Sequence, residues 1–443
     1  MNKRSQWVSG LGFLLATAGA AIGLGNLWKF PYLMGRNGGF LFLIVYLIFV
    51  VLLGVPMMIV EMGIGRYTQQ DAVMSFRKLG KGRAGFIGAM GVLSSFLILS
   101  YYSVIAGWIL KYIVSYATTF HAPADFAAYT AATWEPIVWH LLFMAITAFV
   151  CYKGTQGIEK ASKLMMPGLF LLLILVIARS VTLPGAGEGL AFIFTPGESA
   201  FSFSAVNAAL GQVFYSLSLA MGITVTYGSY LSKEQNIPTT CLRVAGLDTL
   251  AAVLAGVAIF PAVFALGLAP NQGAGLIFST LPQVFDQIGG GALFAVLFFV
   301  LMLFAALTST IALLETVVAY CVDSLGMNRA KAVALMAILI ALLGVPVSLS
   351  FGILGDFTIL GFNFYEFIGL LTDNLLLPLG ALFTCVYVGW IWGPKTLLGE
   401  IETAGNTFRW KRAWVFCIRF LTPVLIAVVT IGGLGTILGA ILG

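Results

Sequence analysis

The feature that most constrains this chain is a succession of eleven apolar runs, each close to the length of a membrane-crossing helix. They cover residues 8–33, 40–68, 86–117, 137–152, 161–180, 202–231, 240–269, 290–323, 329–349, 363–392 and 413–441. A helix needs about 20 apolar residues to cross the hydrocarbon core of a bilayer. Lipid gives the backbone no hydrogen-bond partner, so such segments are helical. The 443 residues are 60% hydrophobic and 9% charged, against about 25% charged in soluble domains. The sequence therefore predicts an all-α polytopic membrane protein with eleven transmembrane helices. The Gly- and Pro-rich stretch 266–289 reads either as a re-entrant or lid-like loop or as plain connection. The first run is too long for the apolar core of a cleavable signal peptide.

Charge sets the expected orientation. With the N-terminus in the cytoplasm, all but Lys29, Arg36, Lys111 and Arg179 of the 23 basic residues fall on the inner side. That is the positive-inside pattern. It predicts a plasma-membrane protein with its N-terminus cytoplasmic and its C-terminus extracytoplasmic. The net charge of +6 resides in short loops between apolar runs, which argues against nucleic acid as a partner. Cys151, Cys241, Cys321, Cys385 and Cys417 are scattered singly, so disulfide and zinc frameworks are not expected. His121 and His140 fall in or beside one outer loop, which argues against a histidine metal site.

Two of the runs are poor lipid helices. The first holds AGAAIGLGNLWKFP, residues 18–31, with three glycines, an asparagine, a lysine and a proline. The sixth holds GQVFYSLSLAMG, residues 211–222. Interrupted segments at matching positions of two halves point to a binding site between inverted repeats. An unwound turn at membrane depth is tolerated where it lines a cavity. Its free carbonyls suit a hard cation such as Na⁺, and its free amides suit a carboxylate. Small-residue packing through Gly19 and Gly23 is the competing reading of the first run. Back-bonding of Ser216 and Ser218 to their own helix is the competing reading of the sixth.

A third cluster, FAALTSTIALLE (304–315), places Thr308 and Ser309 side by side in an apolar helix. Neutral oxygens at one point favour a monovalent ion, whereas Ca²⁺ prefers several carboxylates. Interhelical hydrogen bonding is the simpler use of these hydroxyls. Acids inside spans are functional candidates, and three stand out: Glu61, Asp248 and Glu315. Glu61 could accept amides freed where a neighbouring helix unwinds. Asp248 could serve as an ion ligand or a fixed negative charge. Glu315 could line an inner pathway. Tyr101 and Tyr102 lie near mid-membrane, where tyrosine needs a hydrogen-bond partner. No nucleophile–base pair or metal cluster marks an enzyme.

Taken together, AGAAIGLGNLWKFP, NGGFLFLIVYLIFVVLLGVPMMIVEMGIGRY (37–67), GQVFYSLSLAMGITVTYGSYL (211–231) and LTSTIALLE (307–315) resemble the neurotransmitter:sodium symporter family. The resemblance covers nearly the whole chain and fits the shorter bacterial form. It implies two inverted five-helix repeats, 8–180 and 202–392, with broken first and sixth helices, and an added helix at 413–441. It also implies Na⁺-coupled uptake of a small amino acid or amine.

Carried over residue by residue, the resemblance implies two Na⁺ ions. One would meet Ala21, Asn26, Ser216 and Asp248. The other would meet Gly19, Ile22, Ala305, Thr308 and Ser309. The substrate carboxylate would meet the amides of Leu24 and Gly25 and the Tyr102 hydroxyl. The substrate ammonium would meet Ala21, Tyr215, Ser216 and Ser218. Ile98, Tyr215, Met221, Ser309 and Leu313 would line the side-chain pocket. Ala20 occupies the position where amine transporters carry an acid. The resemblance therefore points to a neutral, hydrophobic or aromatic L-amino acid moved by alternating access.

Two positions depart from the family pattern. Lys29 replaces the usual arginine of the outer gate, and its acidic partner is left open between Glu366 and Asp373. Asp248 replaces a common asparagine, which implies transport without chloride. At the inner end Arg4, Trp7, Ser229, Tyr230 and Asp323 match a cytoplasmic gate, with Arg4 and Asp323 pairing when it closes. A non-transporting Na⁺-dependent amino-acid sensor of the same fold is the alternative. The lipid bilayer is an implied partner, and oligomeric state is left open.

Overall fold

The computed structural model describes residues 6–197, 202–265, 267, 276–287 and 289–442. In chain order the main helices are α1 (Gly10–Ala21), α2 (Gly25–Arg36), α3 (Phe40–Thr68), α4 (Gly85–Thr119), α5 (Glu135–Tyr152) and α6 (Gly154–Ser180). There follow α7 (Phe203–Ser216) and α8 (Ile223–Gly228). The chain then forms α9 (Ile237–Ala265), α10 (Gly291–Asp323), α11 (Arg329–Leu349), α12 (Phe364–Ile391) and α13 (Lys411–Gly435). Among the described residues, nine helices are long and apolar enough to cross a membrane unbroken, and α1 with α2 form a span bent by 49°. The sixth apolar run is the pair α7 and α8, separated by residues 217–222.

Two helices start earlier than hydropathy alone suggests. α5 begins at Glu135, with Pro136 in its first turn, where a missing N–H is harmless. α6 begins at Gly154 and carries Lys160 and Lys163 in its first turns. Polar residues at the membrane boundary extend a helix without changing its period. In the 266–289 stretch, Leu276–Thr280 and Leu281–Gln287 are helical. Phe278 packs edge-on against Trp28 and Trp108. The rest of that stretch, Gly267 apart, falls largely outside the described residues.

The two longest helices, α4 and α10, pack along each other through the centre of the bundle. α3 and α8 meet almost backbone to backbone. A Cβ at Gly65 would fall 2.0 Å from the Val225 carbonyl oxygen, and one at Gly228 would fall 2.5 Å from that of Met62. These glycines allow the short α8 to lie against α3 along its full length.

The break between α7 and α8 is costly backbone. Ser218, Ala220 and Gly222 have φ of 53°, 60° and 73°. A non-glycine residue in this left-handed region costs about 1–2 kcal/mol. The surroundings hold it there. The Ser218 hydroxyl donates to the Ala20 carbonyl at 2.9 Å, and the Ser95 hydroxyl donates to the Met221 carbonyl at 2.6 Å. The Ala220 N–H donates to Glu61 at 2.8 Å, and the Thr224 hydroxyl donates to the other Glu61 oxygen. Orphaned backbone groups of the break are thus met from α3 and α4, while Ser218 of the break meets a carbonyl of α1.

Candidate functional site

The break in the first run faces the break in the sixth. α1 ends at Ala21, and Ile22 adopts extended backbone with ψ of 101°. Two amides released at this point find side-chain acceptors. The Gly23 N–H donates to Asn26 Oδ1 at 3.0 Å, and the Leu24 N–H donates to the Tyr102 hydroxyl at 2.7 Å. A Cβ at Gly23 would fall 2.5 Å from Ser309 Oγ and 2.6 Å from the Tyr102 hydroxyl, so only glycine fits between them.

Beside this break lies a buried polar knot. Asp248 on α9 is fully buried. Asn26 Nδ2 donates to Asp248 Oδ1 at 2.8 Å and to the Asp248 carbonyl at 3.1 Å. Ser216 and Tyr46 donate to Asp248 Oδ2 at 2.8 Å and 3.2 Å. Asn26 also reaches Ser216 Oγ at 3.1 Å. No cationic side chain pairs with Asp248 among the described residues. A buried carboxylate is costly without a counter-charge, even when it is hydrogen-bonded. Asn26, Ser216 and Asp248 are therefore in mutual contact. Asn26 presents its nitrogen to the acid and its oxygen to Gly23.

A second oxygen cluster lies where α1 meets α10. The Ser309 hydroxyl faces the carbonyls of Gly19, Ala20 and Ile22 at 3.4–3.5 Å. The Thr308 hydroxyl donates to the carbonyls of Phe304 and Ala305 at 3.0 Å and 3.1 Å. A Cβ on Gly19 would lie 3.0 Å from Thr308 Cβ, which shows how closely α1 and α10 approach.

Between these clusters is a small cavity. Ile98, Tyr215, Met221, Ser309 and Leu313 line it, with Ala20, Ala21, Gly23, Gly25, Tyr102, Ser218 and Ile223. Apart from hydroxyls and backbone, its wall is apolar and carries no carboxylate. Next to it is a vestibule of about 540 Å³ lined by Leu24, Trp28, Lys29, Tyr32, Tyr101, Ile105, Tyr365 and Asp373. Gly25, Tyr102 and Tyr215 line both spaces and so form the partition between them.

Lys29 crosses that vestibule. Its Nζ lies 2.9 Å from Asp373 Oδ2 and 4.3 Å from the Tyr215 ring centroid. Glu366 instead closes a capping box with Asn363 at the start of α12. Of the two candidate partners, the structure pairs Lys29 with Asp373.

At the end of the bundle bearing the N-terminus, Trp7 Nε1 donates to the Tyr227 carbonyl at 3.1 Å, and its ring packs edge-on against Tyr227 and Tyr230. The Tyr230 hydroxyl donates to the buried Glu315 at 2.8 Å, and Arg329 forms an ion pair with the same carboxylate. Asp323 accepts the Asp71 N–H at 2.9 Å. Arg4 lies outside the described residues. His140 sits within α5, fully buried, with Nε2 3.0 Å from the Ala341 carbonyl oxygen. It therefore belongs to the helix packing and not to a loop.

Three participants escaped the reading of the sequence. Tyr46 lies within the quoted 37–67 motif, and the need of a buried Asp248 for donors is the signal that would have exposed it. Gln212 Nε2 donates to the Gly25 carbonyl at 3.0 Å. Arg329 is the ion-pair partner of Glu315, and as the first residue of a basic-side helix it looks like any positive-inside residue.

A helical bundle broken twice at its centre, with buried oxygens and an apolar cavity at the breaks, is the architecture of a secondary transporter. The model of the sodium:neurotransmitter symporter family matches residues 4–126 and 120–438, and the chain belongs to that family. It is 39% identical over 444 residues to the uncharacterized sodium-dependent transporter YhdH of Bacillus subtilis, covering 98% of each chain. It is 26% identical over 482 residues to the human sodium- and chloride-dependent GABA transporter 2, covering 96% of this chain and 79% of that one. The crystal structure of MhsT in complex with L-phenylalanine matches with 44% identity and a TM-score of 0.90, covering 97% of this chain and 100% of that one. The protein is thus a multi-pass membrane, sodium-dependent symporter and not an enzyme. Its fold is the inverted five-helix-repeat architecture with broken first and sixth helices and an added C-terminal helix.

Proposed function

We propose that the protein imports a neutral L-amino acid with a hydrophobic or aromatic side chain, driven by two Na⁺ ions and independent of chloride. The observation that carries this reading is Asp248: a fully buried carboxylate with three side-chain donors and no cationic side chain beside it among the described residues. A monovalent cation next to Asn26, Ser216 and the Ala21 carbonyl supplies the missing counter-charge. The same fixed charge takes the place of a bound chloride. The second ion uses the cluster of Gly19, Ile22, Ala305, Thr308 and Ser309.

The substrate carboxylate joins the first ion near the Leu24 and Gly25 amides and the Tyr102 hydroxyl. Its ammonium meets the Ala21, Tyr215 and Ser216 carbonyls and the Ser218 hydroxyl. The side chain enters the cavity of Ile98, Met221 and Leu313, whose apolar wall favours an uncharged group. The L-phenylalanine bound by MhsT supports this class of substrate.

Coupling follows from the shared shell, because Na⁺ offsets a carboxylate that is expensive to bury alone. Transport proceeds by alternating access between repeats 8–180 and 202–392, with 413–441 outside them. Lys29, Asp373 and Tyr215 close the outer side. Trp7, Tyr230, Arg4 and Asp323 close the inner side, and Glu61 and Glu315 hold the inner helices. The basic loops orient the N-terminus to the cytoplasm, in the plasma membrane.

Competition of the twenty amino acids against one radiolabelled neutral amino acid, with Na⁺ or K⁺ and with chloride or gluconate, tests the reading. Strong competition by leucine, phenylalanine or tryptophan in Na⁺-gluconate is expected. Preference for a charged amino acid, or a need for chloride, contradicts it.

A further inference from the structure

The short helix Ala72–Leu79 and the turn after it carry Arg77, Lys78, Lys81 and Arg83, all exposed. No carboxylate lies within ion-pair distance of any of them among the described residues. Lys78 makes one long bond, 3.4 Å, to the Thr68 carbonyl. The sequence holds no acid between Asp71 and Asp125, so the local charge is uncompensated. Three other basic residues of this side are paired, Lys163 with Glu159, Lys233 with Glu400, and Lys411 with Glu402; what sets the four apart is their clustering within seven residues.

Exposed aromatic residues flank the four cations. Phe86 is 51% exposed and packs on Phe383 at 5.4 Å, while Tyr67 is 37% exposed and packs on Trp392 at 5.6 Å. Of the two, Tyr67 has the amphipathic ring that is enriched at the headgroup level of a bilayer. Clustered cations at that level attract anionic lipid.

The helix is also fixed to the bundle. Asp71 caps it, and the Asp71 N–H and carboxylate bond Asp323 and Ser324 at the end of α10. A Cβ on Gly88 would lie 2.2 Å from the Ala72 carbonyl oxygen, so the helix lies flush on α4. Ala72 borders the small space shared by Glu61 and Gly222 at the sixth-run break.

We propose that Arg77, Lys78, Lys81 and Arg83 form a docking site for the phosphate headgroups of anionic phospholipids, and that occupancy steadies the end of the bundle bearing the N-terminus. Placing this site in the cytoplasmic leaflet rests on the orientation proposed above. Lipid binding itself does not, because nanodiscs offer the same lipid to both sides.

The test is native mass spectrometry and thermal melting of the full chain in phosphatidylcholine nanodiscs with and without phosphatidylglycerol. Wild type is expected to retain phosphatidylglycerol and melt several degrees higher with it. The variant R77Q/K78Q/K81Q/R83Q is expected to retain about tenfold less and to lose the shift. A control, K395Q/R409Q/R412Q, removes three cations elsewhere on the same side and is expected to behave as wild type. Equal retention by the quadruple variant, equal losses in the control, or equally tight capture of inorganic phosphate would each overturn the site. Should the quadruple variant not fold, K81Q/R83Q alters only the turn and is expected to lose part of the retention. Wild-type retention by that pair would also overturn it.

Discussion

Asn26 and Asp248 are joined twice: the Asn26 amide nitrogen donates to the Asp248 carboxylate at 2.8 Å and to its backbone carbonyl at 3.1 Å. The two residues are 222 positions apart, and neither is exposed. The contact ties the first-run break to α9 and places a fixed negative charge within the polar knot. Through Ser216, the same charge touches the end of α7. One carboxylate thus senses both broken helices.

Replacing Asp248 with Asn keeps the shape and removes the charge. The account predicts that uptake in gluconate falls about tenfold or more, since a unit charge near 4 Å is worth about 4 kcal/mol at an effective dielectric of 20. Chloride is predicted to restore part of it. Uptake assays of D248N with and without chloride check this.

Glu61 meets an amide and a hydroxyl at the sixth-run break, where two non-glycine residues hold positive φ. Glu61→Ala is predicted to cost about 2–4 kcal/mol, because both donors are buried and would be left unpaired. Glu61→Gln retains one acceptor and is predicted to cost less. Thermal unfolding in detergent distinguishes the two.

Arg329→Gln leaves Glu315 as an uncompensated buried charge. Breaking a buried pair costs about 3–5 kcal/mol. The lower end is expected, because Arg329 is 29% exposed and the Tyr230 hydroxyl remains. Adding Glu315→Gln is predicted to recover part of the loss in a double-mutant cycle.

The outer pair is weaker. Lys29 and Asp373 are 35% and 30% exposed, and partly exposed pairs contribute about 0.2–1 kcal/mol. Lys29 over Tyr215 adds about 0.5–1 kcal/mol. Lys29→Ala is therefore predicted to speed release of bound substrate about three- to thirtyfold, the sum of those two energies, with little change in stability. Dissociation kinetics of a labelled amino acid check this.

Much of this arrangement is legible in the sequence. Apolar run length gives the spans, and Gly23, Ser216 and Ser218 mark the breaks. Long-range pairing is not legible, because no period encodes it. Lys29 faces Asp373 across 344 positions, and Glu366 looks equally suitable until its capping box with Asn363 is seen. Arg329 likewise becomes the partner of Glu315 only when α10 and α11 fold back on each other. Helix starts such as Gly154 are missed for a simpler reason: hydropathy reports where lipid begins, and hydrogen bonding decides where the helix does.

The central claim is that inward movement of a neutral amino acid is tied to Na⁺ through the shared shell at Asp248. Its most direct test is uptake of labelled L-phenylalanine into proteoliposomes under an imposed Na⁺ gradient in gluconate medium. The account predicts accumulation above the external concentration that collapses when Na⁺ is replaced by K⁺. Accumulation that persists without Na⁺, or saturable Na⁺-dependent binding with no accumulation, would contradict it.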